Sequence, residues 1–155
     1  MNVERLQAFF FRAMSDGWIG SGKAFDCPDA PGYKAYSYRD GDFLLVDRYC
    51  SDAESPKSAG TTTIWHKDIP VWFMSYGGWY DKSTIACLKN ALTEAYVSNQ
   101  FVGGRGPLSL AVGPIVYANA PRVNDFEKFE GREEIHESET GTLLGFHEYR
   151  GMSLT

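Results

Sequence analysis

Three histidines, His66, His136 and His147, are the only imidazoles in a chain of 155 residues. Two of them fall in a stretch that reads as a hairpin: Phe126 to Glu137, a turn around Thr140-Gly141, then Thr142 to Arg150. With Thr140 and Gly141 as the two central residues, Glu134 lies opposite His147, and His136 and His147 share a face with Tyr149. An imidazole held beside a carboxylate on a rigid sheet can act as a general base. His136, His147 and Glu134 are therefore the catalytic candidates. A three-residue turn would reverse the facing of one strand relative to the other, and cross-strand pairs of this kind also serve structure alone.

A second stretch with chemical letters is Gly17-Trp-Ile-Gly-Ser-Gly-Lys-Ala24. It resembles a phosphate-binding loop, which must leave a buried strand, enter a helix whose N-terminal amides hold the phosphates, and carry Ser or Thr after the lysine for magnesium. Here a helical pattern precedes the loop, Cys27-Pro28 follows it, and Ala24 stands where the hydroxyl should be. The stretch reads as a glycine-rich connection. Gly103-Gly-Arg-Gly-Pro107 could offer amides and the Arg105 guanidinium to an anion, but the same residues read as a turn. No G-x-S-x-G elbow marks a serine nucleophile. Cys27, Cys50 and Cys87 form no CxxC pair, and no histidines stand four apart, so no metal site, disulfide framework or cofactor is expected.

The aromatic residues are the richer signal. Tyr36, Tyr38, Tyr49, Trp65, Trp72, Tyr76, Trp79, Tyr80 and Tyr149 concentrate in strand-like runs, with Asp47, Glu133, Glu134 and Glu148 among them. Tyr and Trp combine an apolar body with a polar tip, which suits half-wet cavities as well as cores. A pocket with contact area from Tyr38, Tyr49, Trp65, Trp72 and Tyr76, and with Asp47 and Glu134 at its rim, would take a cationic or amphipathic ligand. The competing reading places these aromatics in the core. From Asp125 to Glu139 there are seven acidic residues against two basic, a solvated face or a surface that steers a basic partner.

These residues need elements to hold them. Val3, Leu6, Phe10, Ala13 and Met14 recur at helical spacing, so residues 2–14 are expected to form a helix capped by Asn2 and stopped by Ser15-Asp16-Gly17. The next twenty residues read as loop. Tyr36, Tyr38, Phe43 and Leu45 then alternate around Asp40-Gly41, a hairpin signal that pairs Arg39 with Asp42. Ser51 to Gly60 is expected to be an exposed loop, and a second hairpin to run from Thr61 to about Tyr80 with its turn near Lys67–Pro70. Residues 83–97, with Ser83 as cap, carry a helical stripe of Ile85, Leu88, Leu92, Ala95 and Tyr96. Strand-like runs follow at Leu108–Val112 and Ile115–Tyr117. Hairpins with helices held apart from them predict a single α+β domain over residues 1–155: a largely antiparallel sheet with an N-terminal and a central helix packed on it.

The composition bounds the partners. A formal charge of −5 disfavours a phosphate backbone or an anionic membrane surface. No apolar run is long enough for a signal segment or a membrane span, so a cytoplasmic location is expected.

Four phrases occur in an order that resembles a bacterial domain family of unknown function: Tyr38–Tyr49, Ile64–Gly77, Phe126–Ile135 and Tyr149-Arg-Gly151. Members of that family stand alone or lie C-terminal to an Xre-type helix-turn-helix in transcription regulators. The resemblance implies a sensor or oligomerising module and brings no activity, ligand or catalytic residue. A single N-terminal helix cannot supply the two helices of a helix-turn-helix, so nucleic acid is not an expected partner. Three readings follow. The first is a binding module for a small molecule or peptide, without enzymatic activity; the second is an interaction protein, most simply a homodimer. The third is a small hydrolase or transferase using His136, His147 and Glu134.

Overall fold

The structure, a computed structural model, describes residues 2–155. The first helix, α1 (Val3–Ala13), starts where Asn2 accepts the Arg5 amide at 3.2 Å, and it buries Leu6, Phe9, Phe10 and Phe11. It does not end at Ser15-Asp16-Gly17. The chain continues through a wider helical turn, Met14–Ser21, interrupted at Gly20 (φ −89°, ψ −134°). Two glycines in and just after this turn lie against one ring, Tyr36. A Cβ on Gly17 would lie 1.5 Å from the Tyr36 hydroxyl, and one on Gly22 would lie 2.4 Å from the Tyr36 ring. The glycines of the phosphate-loop look-alike thus make room for a tyrosine, with α1 before them and a short strand after them.

Nine strands follow: β1 (Phe25–Asp26), β2 (Tyr33–Asp40), β3 (Phe43–Ser51), β4 (Lys57–His66), β5 (Ile69–Tyr80), β6 (Ser109–Val112), β7 (Ile115–Asp125), β8 (Lys128–Glu137) and β9 (Leu143–Ser153). They form one antiparallel sheet in the order β1-β2-β3-β4-β5-β9-β8-β7-β6. The chain climbs from β1 to β5 by hairpins and leaves the sheet through α2 (Ile85–Val97). It returns at the far edge and works back until β9 closes against β5. The α+β class with two helices on a hairpin-built sheet is thereby observed.

The expected register survives in some hairpins and fails in others. The first turn is centred on Gly41 and Asp42, with Asp40 opposite Phe43, and only Gly41 of the two has positive φ (56°). This differs from the expected pairing by an even number of residues, so Tyr36, Tyr38, Phe43 and Leu45 still share a face. The second turn is Lys67-Asp68, both at positive φ (50° and 64°), as a type I′ turn requires. The strands between the two turns are longer than expected: β3 reaches Ser51 and β4 starts at Lys57, which shortens the predicted Ser51–Gly60 loop to residues 52–56. Ser83 does not cap the second helix. Asp81 caps the short 3₁₀ turn (Lys82–Thr84) that leads into α2, accepting the Ser83 amide at 2.8 Å, and α2 itself follows Thr84 without a side-chain cap.

Both helices pack on one face of the sheet, here called the inner face. Phe10 of α1 meets Trp72 on β5, Tyr96 on α2 and Phe126 in the β7–β8 turn, at ring distances of 5.2, 6.0 and 6.0 Å. Burying large aromatic rings is the strongest apolar contribution a core of this size can collect. One half of the inner face is therefore dry, and the polar side chains gather in the other half.

Candidate functional site

The inner face carries Asp47 on β3, Thr62 on β4, Tyr76 and Tyr80 on β5, His147 on β9, Glu133 on β8 and Tyr117 on β7. Asp47 is 1% exposed and Glu133 is fully buried. A carboxylate in such a place must be hydrogen-bonded or paired, and both are. Asp47 accepts from Thr62 Oγ1 at 2.7 Å, from the Tyr76 hydroxyl at 2.9 Å and from Trp18 Nε1 at 3.0 Å. Burial raises its pKa, and the three donors work against that rise. Trp18 reaches it from the glycine-rich turn after α1, which gives that turn a purpose other than phosphate. Gly60 on β4 leaves the Tyr76 ring room to cross: a Cβ there would stand 2.5 Å from the Tyr76 hydroxyl.

Glu133 anchors the second cluster. Arg105 donates to its Oε1 from Nε at 2.9 Å and also from Nη2; Tyr80 donates to the same oxygen at 2.6 Å, and Tyr117 to Oε2 at 2.5 Å. Although desolvation opposes it, the Arg105 guanidinium holds the Glu133 carboxyl below the ordinary carboxylate value. Arg105 sits in the Gly103–Pro107 loop, which is not the exposed turn its glycines suggest. The loop is buried and fastened by side chains: Tyr117 Oη accepts the Gly106 amide at 3.0 Å, Asn124 Oδ1 accepts the Gly103 amide at 2.9 Å, and Asn119 Nδ2 donates to the Gly106 carbonyl at 2.8 Å. Its glycines permit close packing, since a Cβ at Gly103 would fall 2.1 Å from the Tyr149 ring. The guanidinium lies 5.3 Å from the centre of the Tyr76 ring, so the two clusters meet there.

Above them is a cavity of about 360 Å³ between the sheet, α2 and the β3–β4 loop, within the size range of small-molecule pockets. Tyr76, Tyr80, Arg105 and His147 form its polar wall, Trp18, Tyr49, Ile85 and Leu88 its apolar one, and Lys57, Lys82, Lys89 and Asp52 line its mouth. His147 is 5% exposed. Its Nε2 lies 3.2 Å from Ser58 Oγ, and its ring packs on Tyr80 with centres 4.5 Å apart. Nδ1 is the single sealed side-chain polar atom without a partner among the described residues. Burial, helped by the nearby Arg105 charge, pushes the His147 pKa down to about 4. The imidazole is therefore neutral at pH 7.

The expected site residues divide. Asp47 and Tyr76 lie in the buried cluster, and Tyr49 lines the cavity. Trp72 does not: it is fully buried between Phe126 and Phe129, its Nε1 donating to the Phe126 carbonyl at 3.0 Å. Tyr38 lies beside α1, where it donates to Asp16 at 3.1 Å. Trp65 is on the opposite face of the sheet from its neighbour Ile64, which is in the core. Of the two expected rim acids, Asp47 lies buried beneath the cavity and Glu134 is not among its lining residues; the mouth carries three lysines and Asp52.

The His–Glu constellation comes apart. Glu133, not Glu134, stands opposite His147, because the loop between β8 and β9 covers residues 138–142 and the register shifts at a bulge between Ile135 and His136. This moves the register by one residue and turns Glu134 and His136 to the outer face. There His136 Nε2 and Arg132 both bind Glu134, at 2.8 and 2.5 Å, while His147 faces the cavity. No group of three or more metal-ligating side chains close enough to hold an ion occurs among the described residues, and no helix among them is long and apolar enough to cross a membrane.

Sequence reasoning raises Arg105 only as a possible anion ligand in a turn and Glu133 only as one of several strand carboxylates; it misses that the two form a buried pair. The available signal was a guanidinium flanked by three glycines at Gly103, Gly104 and Gly106, a density that close packing explains better than a surface turn.

No curated protein and no solved structure matches the chain. A family model described as a domain of unknown function, DUF5680, matches residues 47–151. That span runs from Asp47 to Gly151 and contains Tyr76, Tyr80, Arg105, Glu133 and His147, with Trp18 outside it. The chain belongs to the DUF5680 family of domains of unknown function.

Proposed function

We propose that this protein is a binding module for a small amphipathic molecule, seated in the cavity between the inner face of the sheet and α2. One observation carries the reading: a cavity of about 360 Å³ whose wall includes two chargeable side chains, Arg105 and His147, each 5% exposed. Charged groups are costly to bury, and a fold that only needed a core would fill this volume with apolar side chains. The arrangement suits recognition better than catalysis. His147 has a hydroxyl neighbour in Ser58, but no carboxylate orients its Nδ1, and burial makes it a weak base. A ligand-sensing role also fits the resemblance to modules found behind Xre-type helix-turn-helix domains.

The test is thermal stability across a panel of metabolites, amphipathic acids and amines, short peptides and magnesium-nucleotide. A ligand at 100 times its dissociation constant adds roughly 2.7 kcal/mol, a shift on the order of 5–10 °C for a chain of this size. A shift with an amphipathic compound and none with nucleotide is expected. A panel without any shift would direct attention from the cavity to a protein partner.

A further inference from the structure

We infer that the ligand of this cavity carries a carboxylate, an assignment that rests on the binding-module reading and narrows it. The first observation is Arg105. Its Nε and Nη2 are spent on Glu133, while Nη1 has no hydrogen bond within the described residues. Nη1 is not among the sealed atoms that lack a partner, a group with one member, His147 Nδ1. The open space that Arg105 meets is the cavity. A buried guanidinium with one nitrogen unspent at a cavity wall keeps a donor for an acceptor the chain does not supply.

The second observation is the sign of the mouth. Lys57, Lys82 and Lys89 line it against Asp52 alone, and none of the three lysines forms an ion pair among the described residues. The whole chain has a formal charge of −5, so positive charge is gathered here against the general trend. The buried acids do not reverse this. Glu133 and Arg105 cancel each other's charge, and Asp47, whose oxygens are occupied by Thr62, Tyr76 and Trp18, does not line the cavity, so neither acid offers a free oxygen to a ligand. A cationic ligand would therefore find no free carboxylate on the wall and a repulsive entrance. One unspent guanidinium nitrogen suits a singly charged head, and Ile85, Leu88 and Tyr49 suit an apolar body.

The experiment compares three compounds of one shape, 2-naphthylacetate, 2-naphthylacetamide and 2-naphthylethylammonium, as competitors of the uncharged dye 1-aminoanthracene. The acetate is expected to bind at least tenfold tighter than the other two. In Lys57→Gln/Lys82→Gln/Lys89→Gln its advantage should shrink severalfold while the amide is unaffected. These lysines are exposed, so the variant folds as the parent does, and an unchanged melting temperature verifies it. The dye binding while the amide or the ammonium equals or exceeds the acetate, or while the acetate fails to displace it, overturns the carboxylate and leaves the cavity reading intact. Neither dye nor competitor binding overturns both.

Discussion

Arg105 and Glu133, separated by 28 positions in the chain, form an ion pair that water scarcely reaches: Glu133 is fully buried and Arg105 is 5% exposed. Each carboxylate oxygen also accepts from a hydroxyl, Tyr80 on Oε1 and Tyr117 on Oε2. The cluster joins β5, β7 and β8 to the Gly103–Pro107 loop, so the wall of the cavity and the closure of the sheet share the same atoms.

Removing one member of a buried pair leaves an uncompensated charge, which costs about 3–5 kcal/mol. Glu133→Gln is expected to lose that much in urea denaturation. Glu134→Gln, on the outer face, should lose less than about 1 kcal/mol. Equal losses would mean that Glu133 is not the keystone described here.

The low pKa of His147 makes stability depend on pH. Its folded value, about 4, lies below the ordinary 6.5, so the unfolded chain takes up the proton first as pH falls. The stabilising difference is complete above pH 6.5, declines between 6.5 and 4, and amounts to about 3 kcal/mol. Glu133, whose folded pKa is lowered, loses stability at still lower pH, and Asp47, whose value is raised, works in the opposite sense. The contribution of His147 is isolated by subtracting the profile of His147→Gln from that of the parent. The difference should slope between pH 6.5 and 4; a flat one would place a charged or solvated imidazole there.

Asp47→Ala strands the donors of Trp18, Thr62 and Tyr76, each of which carries a penalty of about 1–3 kcal/mol if left unsatisfied. The variant should be less stable by at least that amount, with the Trp18 contribution to fluorescence altered. Tyr76→Phe, which spares the Thr62 and Trp18 bonds but removes one donor from a buried carboxylate, should cost about 1.5–3 kcal/mol, less than Asp47→Ala. Urea titrations of both variants give the comparison.

The glycine-rich turn after α1 makes a prediction that separates packing from phosphate chemistry. Gly17→Ala is expected to destabilise by about 1–3 kcal/mol through crowding of the Tyr36 ring, and Gly17→Ala/Tyr36→Leu should recover part of the loss. Lys23→Ala, at the lysine of the look-alike motif, should leave melting unchanged. A large effect of Lys23→Ala with none from Gly17→Ala would contradict the packing role.

What could be read from the sequence depended on how each strand's facing was fixed. Tyr36, Tyr38, Phe43 and Leu45 were placeable because a turn misjudged by an even register keeps every side chain on its face. The last hairpin shows the opposite case. Nothing in Glu133-Glu134-Ile-His136 declares the bulge after Ile135, and one residue of slippage exchanged Glu133 for Glu134 as the buried acid. Asp47 and Tyr76 were legible as polar groups within apolar strands. Trp72 looked the same and proved to be core, since an indole satisfied by the Phe126 carbonyl has the same letters as one that faces a ligand. The loop around Arg105 reads as a turn because glycine signals freedom to turn, and here it signals closeness to Tyr149 and Tyr117.

The central claim is that the cavity beside α2 receives a small molecule, and the most direct measurement is fluorescence titration of 1-aminoanthracene into the parent and into Leu88→Trp. Leu88 lines the cavity from α2 and is not among the residues bonded to either buried carboxylate, so the larger side chain is expected to occupy the space without breaking the ion pair, and circular dichroism would verify that the variant folds. Saturable binding to the parent, weakened at least tenfold in Leu88→Trp, is the predicted result. Absence of saturable binding to the parent, or equal binding by a folded Leu88→Trp, would contradict it.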